Sequence, residues 1–331
     1  MARARKPDVC VLGGGMWGVV LAQHLAHRGA RVTLWEFVPQ VAESLHRTRE
    51  HPHIPGFRLD ESITVSNDLG ESVDGASVLL FVLPSKAMAA TAKAIRRCGR
   101  LRPGAVAVNA SKGVEPGTFA TMGGIVEREI PELKGKVWTL TGPSFAREVA
   151  RGVPTGLMLG GPSGAKAKEL ERLFDGGALA VRHWPDRVGV ELGGSLKNVI
   201  AVGAGILDGL GAGANTKAAL LVKGLEEMSR LIRAHGGRAD TVYGLAGLGD
   251  LIATGTSPES RNRAFGEKLG KGIPPKKALA QIPTIVEGVE AAVSAIALCR
   301  RRRVKAPVIE AIYGATRGKP ARRVLTALGF A

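Results

Sequence analysis

The sequence predicts an α/β domain followed by an all-α domain. Three observations carry this reading. A strand, a glycine-rich turn, a helix and a second strand follow one another at the N-terminus. Further short apolar runs alternate with helical patterns up to about residue 185, and from residue 188 onward the apolar residues keep helical spacing with no convincing strand.

Residues 8–12 (DVCVL) form an apolar, β-branched run, as a buried strand requires. It leads directly into Gly13-Gly14-Gly15-Met16-Trp17-Gly18, which fits G-x-G-x-x-G. Residues 19–27 have apolar positions at helical spacing, and residues 31–35 (RVTLW) give a second strand ending at Glu36. This order is that of a Rossmann-type dinucleotide-binding domain. Gly13 permits the tight turn, Gly15 lets a pyrophosphate approach the exposed N–H groups of the helix start, and Gly18 lets helix and strand pack closely. Glu36 can accept hydrogen bonds from the adenosine ribose and repels a 2′-phosphate. Phe37 follows it without a positive charge, whereas Arg47 and Arg49 could fold back toward a 2′-phosphate. NAD is favoured and NADP stays open.

The α/β pattern continues with strands at residues 76–83 and 105–109, and helices at 88–98 and 118–130. Three more strands are predicted at 137–140, 156–159 and 179–182. The strand at 105–109 runs into Ser111-Lys112, and the one at 137–140 into Thr141-Gly142-Pro143-Ser144. Open parallel sheets bind ligands beyond the carboxyl ends of their strands, which makes Lys112, Gly142 and Ser144 candidates for substrate contact. Near residues 183–186 the character changes, and helices are predicted at 188–210, 214–234, 275–281, 286–303 and 307–313. The expected division is a dinucleotide-binding domain over 1–187 and a helical substrate and catalytic domain over 188–331.

A chain of 331 residues with 45% hydrophobic residues can build two cores. No apolar run looks long enough to cross a bilayer, and the basic start runs at once into the first strand, so no signal peptide is expected. Three scattered cysteines point to a reducing, cytoplasmic setting, and the seven histidines show no metal-ligand spacing, so no metal is expected. The net charge of +17 invites a nucleic-acid reading. The cations are spread along the chain, aromatics are only 4%, and Arg300–Arg303 end a helical pattern, where cations complement the helix dipole. No nucleic-acid partner is expected; attraction for anionic substrate and cofactor is a by-product of the charge.

Residues 244–266 (GLAGLGDLIATGTSPESRNRAFG) gather a carboxylate (Asp250), hydroxyls (Thr254, Ser257, Ser260) and two cations (Arg261, Arg263) flanking Asn262, around flexible glycines. A small phosphate ester needs such a set: guanidinium donors for the phosphate and oriented polar groups for its hydroxyls. Within the helix at 188–210 lies Gly193-Gly194-Ser195-Leu196-Lys197-Asn198. Lys197 sits on a small-residue face that would admit a ligand, and burial beside a second cation, Lys112, would suit it to proton transfer. Asn198 can bond the substrate or hold Lys197 in place.

Together these motifs resemble the bacterial NAD(P)-dependent glycerol-3-phosphate dehydrogenases. The likeness is carried by GGGMWG, SKGVEPGT at Ser111, TGPSFAREVARGVPT at Thr141, GVELGGSLKNVIAVGAGILDGLGAGANTKAAL at Gly189, the block at Gly244, and IVEGVEA at Ile285. It covers nearly the whole chain. The resemblance implies interconversion of sn-glycerol 3-phosphate and dihydroxyacetone phosphate, with Lys197 as proton acceptor and donor. It further implies that Lys112, Asp250, Ser260, Arg261 and Asn262 hold the substrate. Trp17, Ala146, Ile285 and Glu287 would touch the cofactor, with Lys112 and Arg261 close to it. Met16 and the Glu36-Phe37 pair depart from the family's usual residues, and both touch the cofactor site. Supply of glycerol 3-phosphate for phospholipid synthesis, as a cytoplasmic homodimer, is implied as well. The same two-domain order serves dehydrogenases of other hydroxy acids; the Asp250–Arg261 block argues against those.

Overall fold

The structure is a computed structural model that describes residues 7–282 and 285–330. The chain divides into two compact units. The first takes in residues up to Lys112, Met122–Leu140 and Ser144–Arg187; the second takes in Gly113–Thr121, Thr141–Pro143 and the chain from Val188 onward.

The first unit is built on strands β1 (Asp8–Leu12), β2 (Arg31–Trp35), β3 (Thr64–Ser66), β4 (Val78–Phe81), β5 (Val106–Asn109), β6 (Val137–Thr141), β7 (Thr155–Gly160) and β8 (Leu179–Trp184). They lie in one sheet in the order β3-β2-β1-β4-β5-β6-β7-β8. β1 pairs in parallel with both β2 and β4, so the order reverses there, where doubly wound sheets bind ligands. The register aligns Leu12 with Trp35 and with Phe81, and Phe81 with Asn109. The loops at Gly13, Glu36, Val82 and Ala110 therefore leave from one edge. The helices of this unit are α1 (Met16–His27), α2 (Pro39–Thr48), α3 (Leu69–Val73), α4 (Met88–Cys98), α5 (Met122–Glu129), α6 (Ala146–Ala150) and α7 (Ala165–Phe174).

Several elements differ from the sequence expectation. The strand expected over 76–83 covers only Val78–Phe81. The helix expected over 118–130 begins at Met122, because Gly113–Thr121 packs into the second unit. α2, α3, α7 and the short β3 escaped the reading; α2 starts on a proline and buries only Ala42 and Leu45, too few apolar positions to show a period.

The second unit consists of α8 (Arg187–Gly209), α9 (Gly213–Ala234), α10 (Asp250–Thr256), α11 (Arg261–Gly270), α12 (Pro275–Ala280), α13 (Glu287–Arg302), α14 (Pro307–Thr316) and α15 (Arg323–Ala327). α8 is long and apolar enough to span a bilayer, with a mean hydropathy of 1.3, which corrects the expectation that no such run exists; its apolar window is wholly buried inside the protein, as in a core helix. Residues 244–266 are not a loop around flexible glycines. They form a single π-helical turn (Leu245–Gly249), then α10 and the start of α11.

The glycines of this region pack helix against helix. A Cβ added at Gly205 would lie 1.9 Å from the Arg263 carbonyl oxygen, and one at Gly266 would lie 1.9 Å from that of Val202. Gly209 and Gly270 meet in the same way one turn further along, with each Cβ position 2.8 Å from the other's Cα. α8 and α11 thus cross with backbone against backbone. A Cβ at Gly193 would lie 3.1 Å from the Ala246 carbonyl oxygen, so the small-residue face of α8 takes protein backbone at these positions rather than a ligand. Gly266→Ala is expected to destabilise the protein by about 1–3 kcal/mol through overpacking. Urea unfolding measures it, and a midpoint equal to wild type would show that the two helices can part without loss.

Candidate active site

In the first unit the glycine turn is built from backbone constraints. Gly13 has φ +118° and donates its N–H to the Trp35 carbonyl at 2.8 Å. A Cβ on Gly18 would fall 1.9 Å from the Gly13 carbonyl oxygen. Gly15, by contrast, faces open space, and α1 begins with no side-chain cap and no acid in its first turn. The N–H groups at the start of α1 therefore lack a side-chain acceptor, a cradle that fits a pyrophosphate. Met16, Trp17 and Ala146 are half-buried around this turn and pack on the unit's core.

Glu36 braces the same turn. Its carboxylate accepts from Gly14 N–H at 2.8 Å and from Val38 N–H at 2.9 Å. His51, which the sequence reading did not single out, accepts from His53 N–H at 3.2 Å, and burial lowers its imidazole below the ordinary histidine value. Phe37 is 74% exposed. Arg49 is removed as a 2′-phosphate ligand: its guanidinium donates to the Ile63 carbonyl at 2.8 Å and pairs with Glu61 at 3.3 Å. Lys112 follows a turn pinned at the end of β5, where Ser111 N–H donates to Asn109 Oδ1 at 3.0 Å and Ser111 Oγ accepts from Leu83 N–H at 2.7 Å.

In the second unit the predicted polar residues converge. Lys197 and Asp250 are both buried, and Lys197 Nζ donates to Asp250 Oδ1 at 2.7 Å. Nζ also donates to the Thr254 hydroxyl, which itself donates to Asp250 Oδ1 at 3.1 Å. The Asp250 carboxylate thus pairs directly with the Lys197 ammonium. One residue along, Asn198 donates to Glu287 Oε2 at 3.0 Å and accepts from Asn262 Nδ2 at 2.9 Å, while Asn262 Oδ1 accepts from Gly288 N–H at 2.8 Å. α8, α11 and α13 are stitched together through these amides. Ser260 caps α11 by accepting from Arg263 N–H at 3.2 Å.

Two matches span most of the chain. Residues 8–166 match the NAD-dependent glycerol-3-phosphate dehydrogenase N-terminus, and residues 186–325 match the corresponding C-terminus. The chain belongs to this dehydrogenase family. It is similar to the glycerol-3-phosphate dehydrogenases [NAD(P)+] of Geobacter sulfurreducens, with 42% identity over 96% of this chain and 95% of the relative, and of Geobacter metallireducens, with 41% identity over the same shares. Its fold is similar to the crystal structure of glycerol-3-phosphate dehydrogenase from Coxiella burnetii, with a TM-score of 0.89, 31% identity and 98% of both chains covered.

Within this dehydrogenase the two arginines of the Arg261-Asn262-Arg263 motif part company. Arg263 is committed: it pairs with Asp208 at 2.6 Å, donates to the Ser257 carbonyl at 3.0 Å and approaches Glu267 at 3.4 Å. Asp208 also pairs with Lys217, and the sequence reading missed this clamp because charges spaced so far apart show no pattern. Arg261 opens α11, is exposed and forms no ion pair among the described residues. Gly142 lies in the second unit and Ser144 in the first. Ile285 is 64% exposed just before α13. Thr141, also missed, lies against Gly194, whose Cβ position is 2.9 Å from its hydroxyl.

Arg263→Ala is expected to lower stability by about 1–2 kcal/mol, since it strips charged hydrogen bonds from Asp208 and from the turn at Ser257. Arg261→Ala should stay within about 0.5 kcal/mol of wild type. Urea midpoints of the two variants compare them directly, and the reverse ranking would overturn this division of roles.

Proposed function

We propose that the protein interconverts sn-glycerol 3-phosphate and dihydroxyacetone phosphate with a nicotinamide cofactor. The observation that carries this is the buried Lys197–Asp250–Thr254 cluster, lying in a chain of this dehydrogenase family. When bound, the nicotinamide supplies the hydride for reduction of the ketone. Lys197 then gives its proton to the developing alkoxide, and takes it back in the oxidative direction. Asp250 orients the ammonium or a substrate hydroxyl, and the Thr254 hydroxyl fixes a second N–H direction. Lys112 steadies the charge that grows on the substrate oxygen.

Arg261 grips the phosphate, because its guanidinium is uncommitted and lies at the positive end of the ten-residue α11. Ser260 and Asn262 flank it, and Asn198 orients the substrate hydroxyls. Gly142 and Ser144 complete the substrate set. On the cofactor side stand Gly13, Gly15, Met16, Trp17, Gly18, Glu36, Phe37 and Ala146, and Lys112, Arg261, Ile285 and Glu287 are cofactor contacts as well. Residues 1–187 and 188–331 serve as the cofactor and substrate domains. The enzyme would work in the cytoplasm, feeding phospholipid synthesis. A homodimer is supported by the exposed Val222, Tyr243, Leu245 and Ile252 of the helical unit.

Lys197→Ala is expected to lower kcat by about 10²–10⁴-fold while NADH binding holds. The loss of absorbance at the NADH band with dihydroxyacetone phosphate measures turnover, and a variant with wild-type kcat would remove Lys197 from the chemistry. NADH should also outrun NADPH in kcat/KM, since Glu36 sits where a 2′-phosphate would come and Arg49 is committed elsewhere. Glu36→Ser should narrow the ratio while weakening both cofactors, because the Gly14 brace goes with the carboxylate. A wild-type preference for NADPH would mean that Arg47 or the overall charge outweighs Glu36.

A further inference from the structure

The segment Gly113–Thr121 leaves the first unit directly after Lys112 and returns to it at Met122. In between it folds on itself and docks into the helical unit. Val114 and Thr121 form an antiparallel bridge, Glu115 N–H donates to the Ala120 carbonyl at 2.9 Å, and Phe119 N–H donates to the Glu115 carbonyl at 3.0 Å. Just past the turn of this strap Phe119 is buried in the core of the helical unit.

Phe119 has φ +62°, in the left-handed region that bulky residues avoid. Among the described residues the other non-glycines with positive φ are Arg49 and Arg303, both helix C-caps, where that conformation is ordinary. Phe119 caps no helix. Its strain persists because neighbours over-determine it. The Arg301 guanidinium lies over its ring at 5.2 Å and donates to the Thr118 carbonyl at 3.5 Å. Ser294 Oγ donates to the Val114 carbonyl at 3.5 Å. α13 thus holds the strap at its start, Val114, and at its turn, Thr118 and Phe119.

We infer that Phe119 and Arg301 are positioning residues for the reaction: they fasten to the helical unit the backbone that carries Lys112. The inference rests on the role given to Lys112 above. Neither residue touches the reacting atoms; each sets where the Lys112 backbone leaves the strand end. A small misplacement of a group that steadies substrate charge costs rate without unfolding the enzyme.

The test is a double-mutant cycle on the full chain. Phe119→Ala and Arg301→Ala should raise KM for dihydroxyacetone phosphate and lower kcat/KM, on the order of tenfold for Phe119 and less for Arg301, with Kd for NADH kept within about twofold. Phe119→Leu, which keeps an apolar anchor, should restore most of the loss. Measured at high enzyme concentration in a Lys112→Ala background, neither substitution should add a further loss. If Phe119→Ala does not fold, the exposed Arg301 decides the matter by the same cycle. Wild-type kinetics in a folded variant, or losses that add in full to that of Lys112→Ala, overturn the inference alone. A Lys112→Ala enzyme with wild-type kinetics overturns the reading of Lys112 and the inference with it.

Discussion

The backbone contact between α8 and α11 is the constraint on which the helical unit depends. Helices with ordinary side chains at their contact keep their axes about 8–10 Å apart. Gly205 and Gly209 on α8, with Gly266 and Gly270 on α11, let carbonyl oxygens enter the space a Cβ would fill. This brings the start of α11, with Ser260, Arg261 and Asn262, to α8 at the level of Asn198, where one amide hydrogen bond of 2.9 Å joins the two helices. Wider spacing would break that bond, and the link through Asn262 to Gly288 at the start of α13 with it. The glycines thus set the placement of these side chains as much as the hydrogen bonds do.

The Lys197–Asp250 pair works against that packed background. Burying two charges is costly, and an ion pair of this kind is weak evidence for stability. Its geometry argues for function: Nζ, a carboxylate oxygen and a hydroxyl form a closed triangle within one helical unit. The triangle fixes the direction of the ammonium through two of its N–H groups. Asp250 and Thr254 are one turn apart on α10, so a single short helix supplies both partners, and the preceding π-helical turn at Leu245–Gly249 sets how that helix is presented.

Much of the sheet was legible because buried parallel strands are continuous apolar runs. Residues 8–12 and 31–35 were read with their ends in place, and the glycine turn between them fixed the start of the order. β3 was not legible, being a three-residue strand with little apolar content. α10 and α11 were hidden for a different reason. Their sequence is rich in glycine, serine and threonine, residues that favour turns, and only burial against α8 makes those small residues helical. The polar members of the site could be named from their types and spacing. Which residue each would bond could not, because Lys197–Asp250 and Arg263–Asp208 join positions far apart in the chain. The division of labour between Arg261 and Arg263 came only with the partners of Arg263.

The glycine turn shows a similar economy on the cofactor side. A carboxylate at the end of the second strand is commonly considered for what it does to a ribose, but Glu36 already accepts two backbone N–H groups, from Gly14 within the turn and from Val38 beyond the strand. A carboxylate so held is fixed in direction, and its remaining lone pairs are aimed by the protein before any ligand arrives. Glu36 cannot swing aside without releasing Gly14, so the side chain at the end of the second strand and the shape of the glycine turn are tied together. Replacing the carboxylate would also strip the Gly14 N–H of its acceptor, so any change at the end of the second strand is felt in the backbone of the turn.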